Sequence, residues 1–436
     1  MKVLKFGGTS VGSAERMQEL VHLINDGSPK IVVLSAMSGT TNSLVEIATA
    51  LYAKEHDKAN LMIDALHLKY KGVIKQLYKT SVALNKSSGL LDSHFNYLHS
   101  FTMDLFTISE ERAILAQGEM LSTTLFHYYL EENSIESVLL PALNFMRIDE
   151  NEEPDMNYIE TNIKSELSNY PDNKLFITQG YICRNAFGEI DNLKRGGSDY
   201  TATIIGAAIH ADEIQIWTDI DGMHNNDPRI VEKTYPIAEL SFDEAAELAY
   251  FGAKILHPTC ILPAQVRNIP VRLLNTMQPD AKGTVISQKI SGDSIKAVAA
   301  KDGITAIKIK SERMLLAYGF LRSVFEIFER YKTPIDMITT SEVAVSLTID
   351  NIKNIEAIKN ELKEFCSVDV ETDLTIVCIV GSFTAEKQGY ALRIFDALKE
   401  IPIRMISYGG SENNVSILVD SKLKKDTLIA LNKGLF

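Results

Sequence analysis

Three stretches of small residues have the composition needed to hold an anion. Lys5-Phe6-Gly7-Gly8-Thr9-Ser10 closes a short apolar run, and Ser35-Ala36-Met37-Ser38-Gly39-Thr40-Thr41-Asn42 closes a second at residues 31–34. Arg195-Gly196-Gly197-Ser198-Asp199 opens a third apolar stretch, with Ile204, Ile205, Ala208 and Ile209 on one helical face. Glycines lack a Cβ, so backbone amides can approach phosphate oxygens closely, and Lys5 adds a point charge at its strand end. One such loop is equally an ordinary tight turn. Three at the carboxyl ends of parallel strands point to phosphate binding, because open α/β sheets collect ligands at that edge. None has Walker spacing, and none carries the spaced glycines and distant acid of a dinucleotide fingerprint.

The elements that position these loops follow from hydrophobic spacing. Met17, Leu20, Val21 and Ile24 recur at helical intervals, residues 31–34 read as a buried strand, and residues 44–51 as a second helix. Two successive strand–loop–helix units predict a parallel sheet with crossover helices. Residues 51–131 are almost free of Gly and Pro, which predicts helices, and the acidic segment 149–155 with Pro154 predicts a solvated loop. Residues 175–178 and 213–217 read as further buried strands. Ser241 and Glu244 have capping-box spacing at a helix start, with Gly252 placed as its C-terminal cap.

From about residue 295 the pattern becomes a repeat of roughly seventy residues. The first copy predicts strands at 304–309, 335–338, 343–349 and 368–371, with helices at 321–331 and 352–362. The second predicts strands at 374–380, 403–406 and 415–419, with helices at 390–398 and 422–431. Both are ferredoxin-like βαββαβ units. The second is one strand short, and the β-prone residues 295–300 are expected to complete it, because its sheet would otherwise end in an unpaired edge. The expected domains are therefore 1–294, 303–372 and 373–436, the last completed by 295–300.

Composition limits the partners. The chain has 436 residues, 45% hydrophobic and 23% charged, which excludes disordered and collagen-like classes. Its net charge of −13 repels phosphate backbones and anionic lipid, so nucleic acid is not an expected partner and a bound phosphate must be held by local geometry. The longest mostly apolar stretch, residues 201–211, falls short of the roughly 20 residues that cross a bilayer, so no membrane span is expected. The N-terminus reads as a strand rather than a secretory leader. Cys183, Cys260, Cys366 and Cys378 show neither metal-ligand nor disulfide spacing, so they are expected to be structural, with no side-chain metal cluster, in a reducing cytoplasm.

The three loops, together with Glu111-Arg112, Gly118-Glu119, Trp217-Thr218-Asp219-Ile220-Asp221-Gly222 and Phe251-Gly252-Ala253-Lys254-Ile255-Leu256-His257-Pro258, resemble the aspartate kinase family in order over nearly the whole chain. The C-terminal repeats resemble that family's paired ACT domains, and the resemblance is to its monofunctional form, with no homoserine dehydrogenase segment. It implies a three-layer α/β/α amino-acid kinase domain with a mainly parallel sheet, followed by two ACT domains. It also implies ATP-dependent phosphorylation of the β-carboxylate of L-aspartate, which opens lysine, threonine and methionine synthesis. A carboxylate is already a nucleophile, so positioning and charge neutralisation must supply the catalysis.

On that resemblance Lys5 is the cation at the transferring phosphoryl, Gly7 and Gly8 cradle its oxygens, and Asp199 organises Lys5 and the donor phosphates, directly or through Mg²⁺ carried by ATP. Arg195 offers a fork to a substrate carboxylate, and Glu119 a counter-charge to the substrate ammonium. Ser38, Thr41 and Ser198 are hydroxyl contacts. Thr218, Asp219, His224 and Arg229 lie along the nucleotide, with Lys254 reaching its phosphates. Glu111 and Arg112 are read as structural, His257 as a loop-packing residue and Trp217 as strand-end packing. Lys194 and His224 depart from the family's usual Gly and Tyr, and Pro141-Ala142-Leu143 lacks its usual Asp and Arg. Two other readings stay open: a related kinase acting on glutamate, and a catalytically silent amino-acid sensor.

The resemblance extends to an effector site at Met314, Gly319, Phe320, Leu321, Asp336 and Thr340, with L-lysine as inhibitor and threonine as the competing candidate. Gly319 amides would receive an α-carboxylate and Asp336 an amino group, while Ala317 and Tyr318 replace the usual Ser and Arg. A homodimer or higher homo-oligomer through the ACT domains is implied as well.

Overall fold

Lys2–Phe6 (β1) is the central strand of the sheet that carries the three loops. The computed structural model describes residues 1–103, 105–193, 196–252, 256–288, 294–310, 318–383 and 388–436. After β1 come α1 (Ala14–Ile24), β2 (Lys30–Leu34), α2 (Thr40–Tyr52), α3 (His56–Leu77), α4 (Ser81–Ser100), α5 (Ile108–Glu132) and β3 (Val138–Leu140). The chain continues through α6 (Met156–Ser168), β4 (Leu175–Gln179), the hairpin β5 (Ile182–Arg184) and β6 (Ile190–Asn192), α7 (Gly197–Ile209) and β7 (Ile214–Thr218). Then follow β8 (Glu239–Ser241), α8 (Phe242–Tyr250), α9 (Pro258–Val266), β9 (Val271–Asn275) and β10 (Thr284–Ser287).

The sheet order is β3-β4-β2-β1-β7-β9-β10-β8, and every pairing is parallel except β9 with β10. Phe6 stands opposite Leu34 and Trp217, Leu34 opposite Gln179, and Thr218 opposite Asn275. The loops after residues 6, 34, 179 and 218 therefore leave from one edge. Strand alternation sends Leu4, Phe6, Val32 and Leu34 into a large apolar cluster with α1–α5. The opposite face meets α7.

The run between residues 51 and 131 folds as α3, α4 and α5, as its lack of helix breakers predicts. Thr107 starts α5 with a capping box: its side chain accepts from a backbone amide, and Glu110 answers at the Thr107 amide. Ser241 is the last residue of β8 and directly precedes α8.

The second sheet is antiparallel. It is built from β11 (Ile295–Lys310), β12 (Ile338–Thr340), β13 (Ala344–Ile349), β14 (Ser367–Gly381), β15 (Met405–Ser407) and β16 (Asn414–Asp420) in the order β12-β13-β11-β14-β16-β15. Helices α10 (Phe320–Arg330) and α11 (Ile355–Lys363) cover one half, and α12 (Tyr390–Ala397) and α13 (Lys424–Leu435) the other. This is the doubled ferredoxin-like arrangement, but two strands run through both halves. Residues 305–310 pair with β13 and residues 304–310 with 367–374, while residues 295–301 pair with 376–381. The register shifts around residues 301–306, where Gly303 takes φ +76°, and Asp373 on the partner strand takes φ +58°.

The chain divides into two units along a different line from residue 294. The first holds Met1–Met223, Ala238–Phe242 and residues 256–288; the second holds His224–Ile237, residues 243–252 and everything described from 294 onward. The physical reason lies in packing within the second unit. Ile230 and Val231 join the apolar cluster of β14, β16, α12 and α13, and Asn226 Nδ2 donates to the Leu428 carbonyl at 3.1 Å.

Candidate active site

Lys5 alternates with Leu4 and Phe6 and so points to the α7 face of the sheet. Its Nζ lies 2.7 Å from Asp199 Oδ1 in the first turn of α7, and Lys5 is only 8% exposed. Asp199 Oδ1 is buried and takes no aligned hydrogen-bond donor, so the contact is an ion pair. A Cβ on Gly7 would stand 3.4 Å from that ammonium, and one on Gly8 would stand 3.0 Å from the Ala36 carbonyl oxygen. The first loop therefore touches both the cation and the second loop.

The second and third loops meet through hydroxyls: Ser35 Oγ donates to Ser198 Oγ at 2.9 Å. Gly180, directly after β4, makes that approach possible, since a Cβ there would fall 2.3 Å from the Ser198 side chain. Gly196 caps α7 in the left-handed region at φ +68°, and a Cβ there would strike Cys260 Sγ at 1.8 Å. Burial pushes the Cys260 thiol up to about 12, which removes it as a nucleophile.

Glu119 comes from the middle of α5. Its Oε1 accepts from the Ala36 amide at 3.1 Å, and its Oε2 is buried without a hydrogen-bond partner. Burial pushes the carboxyl up to about 8, against the smaller opposing effect of the Ala36 amide. Gly118 lets α5 approach this closely, since a Cβ there would lie 2.8 Å from Ala36 Cβ. From α3, Tyr70 OH bonds Thr40 Oγ1 at 3.0 Å and Lys69 Nζ donates to the Ser38 carbonyl at 2.8 Å. The second loop is thus held from three sides.

This edge offers a cation beside a glycine-rich backbone, hydroxyls, and an enclosed acid with one free oxygen. The first set suits phosphate oxygens; the acid suits an ammonium. Residues 1–275 match the amino acid kinase family and residues 377–435 match an ACT domain. The chain is 33% identical to the lysine-sensitive aspartokinase 3 of Escherichia coli, covering 100% of this chain and 99% of that protein. The chain belongs to the aspartokinase family.

Two solved structures of Escherichia coli aspartokinase III resemble it, each 32% identical and covering 100% of this chain. One is in complex with aspartate and ADP in its R-state, with a TM-score of 0.84 and 100% of that chain covered. The other is in complex with lysine and aspartate in its T-state, with a TM-score of 0.81 and 99% covered. The present aspartokinase is accordingly an ATP-using phosphotransferase with a carboxyl acceptor, built from an amino-acid kinase domain and ACT domains.

Within the first unit the structure gathers Lys5, Gly7, Gly8, Ser38, Glu119, Ser198 and Asp199, with Thr41 half-buried in the first turn of α2. Thr218 ends β7, next to β1, and Asp219 is exposed just beyond it. Trp217 stacks on Phe6 at 5.7 Å, which is strand-end packing. Arg112 pairs with Asp191 at 2.6 Å, while Glu111 accepts from Tyr52 OH. His224 and Arg229 belong to the second unit, where His224 Nδ1 meets Thr234 Oγ1 at 2.9 Å and Arg229 is tied twice to Asp227. Arg195, Lys254 and Met314 lie outside the described residues.

In the second unit Gly319 caps α10 at φ +91°, Phe320 is half-buried, and Leu321 and Thr340 are exposed. Asp336 is enclosed, with its side chain 1% exposed, and pairs with Lys301. Sequence reading missed Ser35, Lys69, Tyr70 and Gly180. Only Ser35 stood inside a motif; the rest act through contacts far apart in the chain. Among the described residues no group of three or more His, Cys, Asp or Glu could hold a metal, and no helix is long and apolar enough to cross a membrane.

Proposed function

We propose that Lys5 and Asp199 form the phosphoryl-transfer centre of this aspartokinase and that L-aspartate is its acceptor. The enclosed 2.7 Å ion pair at the convergence of three anion-suited loops carries this reading. A β-carboxylate oxygen attacks the γ-phosphorus of ATP, the bond to the β,γ-bridging oxygen breaks, and ADP leaves. The products are 4-phospho-L-aspartate and ADP, with no proton to remove from the nucleophile. Lys5 holds charge at the moving phosphoryl, the Gly7 and Gly8 amides receive its oxygens, and Asp199 fixes Lys5 in place. Mg²⁺ carried by ATP would offset phosphate charge, and Asp199 would be the carboxylate to hold it beside Lys5.

Glu119 receives the substrate ammonium on its free Oε2. Arg195 takes the α-carboxylate, and Ser38, Thr41 and Ser198 complete the amino-acid site. Thr218, Asp219, His224, Arg229 and Lys254 serve the nucleotide. The ACT half, bounded at 303–372 and 373–436 with 295–300 completing the second domain, binds L-lysine as a feedback inhibitor through Gly319, Phe320, Leu321, Asp336, Thr340 and Met314. ACT pairing makes the enzyme a homo-oligomer, and its place is the cytoplasm.

The test couples ADP release to trapping of the acyl phosphate with hydroxylamine. Hydroxamate formation with L-aspartate and not with L-glutamate is expected; the reverse preference overturns the assignment. Inhibition by lysine, threonine and methionine, measured separately on wild type and Asp336→Ala, tests the effector. Lysine inhibition of the wild type that is lost in the variant is expected.

A further inference from the structure

Asp336 already holds an ammonium group, and it belongs to the protein. Lys301 Nζ, from β11, lies 2.9 Å from Asp336 Oδ1, and the same oxygen accepts from Tyr250 OH of α8 at 2.7 Å. The lysine also stands 4.1 Å from the centre of the Tyr250 ring. Asp336 Oδ2 is buried and has no hydrogen-bond partner. Lys301 has a second anchor, Asp350 Oδ2, at 2.9 Å, and that carboxylate is 39% exposed. One cation therefore sits between an enclosed carboxylate with a free oxygen and an outer carboxylate in contact with water.

We propose that Lys301 is a tethered competitor for the effector: its ammonium occupies the counter-ion of the effector's amino group and must withdraw onto Asp350 before the effector is held tightly. This rests on the reading of Asp336 as an effector ligand and adds what sets its affinity. An ammonium arriving at Oδ2 meets a like charge already on the same carboxylate, and in an enclosed site that repulsion is poorly screened. Withdrawal along the short path to Asp350 removes it without stripping Lys301 of a partner. Tyr250 OH shares the contested oxygen, so the exchange also alters the hold of α8 on the ACT half. Glu247 of the same helix accepts from Ser411 Oγ at 3.0 Å, which keeps α8 attached elsewhere.

The competition predicts opposite shifts from removing the two neighbours of Asp336. Calorimetric titration of the full chain with L-lysine should give a Kd about tenfold lower for Lys301→Met, because the competitor is gone. For Asp350→Asn it should give a Kd several-fold higher, because the retreat is lost and Lys301 stays on Asp336. A merely structural role would weaken binding in both. Unchanged Kd values, or shifts in the same direction, overturn the inference while leaving the effector reading intact if the wild type binds lysine. If neither wild type nor Lys301→Met binds L-lysine, both fall. If Lys301→Met does not fold, Lys301→Gln takes its place: tighter binding than wild type supports the competition, and equal or weaker binding overturns it.

Discussion

Asp199 Oδ1 and Lys5 Nζ stand 2.7 Å apart, one on the first turn of α7 and the other on the central strand, and together they close the carboxyl edge of the sheet. The lysine is more enclosed than a residue merely facing a cleft. Removing it therefore takes away the cation proposed for phosphoryl transfer and also leaves a carboxylate with little water around it.

Lys5→Met should lower kcat by about a thousandfold or more, the usual scale for losing a preorganised charge at a phosphoryl-transfer centre. It should also destabilise the fold by on the order of 2–3 kcal/mol, less than the roughly 3–5 kcal/mol of a fully buried pair because Asp199 keeps 17% exposure. Lys5→Met with Asp199→Asn should regain most of the stability and none of the activity. Chemical denaturation alongside single-turnover kinetics separates the two effects.

Glu119 should make aspartate binding release a proton. Burial pushes its carboxyl up to about 8, which favours the protonated form at neutral pH in the free enzyme, and an ammonium on Oε2 favours the ionised form. Apparent affinity for aspartate should then rise close to tenfold per pH unit up to about pH 8 and level off above it. The stability sign is the opposite. The folded state binds the proton more tightly than the unfolded chain, so this group's contribution falls as pH rises from about 4.5 to about 8. Calorimetry in buffers of different ionisation enthalpy checks the proton release, and Glu119→Gln should abolish the slope.

Gly118→Ala pits two effects against each other. Alanine favours a helix interior by roughly 0.5–1 kcal/mol over glycine. A Cβ here would stand 2.8 Å from Ala36 Cβ, in the loop whose amide bonds Glu119, and the resulting strain is typically about 1–3 kcal/mol. Overpacking should prevail, raising KM for aspartate with a smaller change in kcat. Ala36→Gly in the same chain should restore KM, and steady-state kinetics on the pair tests this.

The fragment 374–436 should not unfold cooperatively by itself. It lacks residues 295–301, which pair with 376–381, and Ile295 and Val298, which pack with Val377, Ile379 and Ile417. The fragment 294–436 contains that strand and should give a sigmoidal melt followed by circular dichroism. A sharp transition in the shorter piece would show that its sheet edge is stable unpaired.

The strand–loop–helix rhythm, the two βαββαβ copies and the missing strand were legible because each is a local pattern. Apolar period, glycine placement and caps act over a few residues. The same holds for Lys5, Gly7, Gly8 and Asp199, whose types and neighbours suggest phosphate chemistry before any contact is known. What local pattern could not reveal was that residues 295–310 and 367–381 are each one strand serving both halves. Continuity through Gly303 and Asp373 depends on a partner strand far away in the chain.

The sequence by itself determined the family and the reaction class, because phosphoryl transfer demands particular side chains in particular loops. Tertiary structure decided which groups are already occupied. Asp336 is held by Lys301 and Tyr250, and Glu119 lies deep enough for burial to push its carboxyl up to about 8. Each of these is set by burial or by a neighbour in space, and neither is encoded in the residues on either side. Tyr250 and Asp336 lie 86 positions apart, and only folding brings them to 2.7 Å.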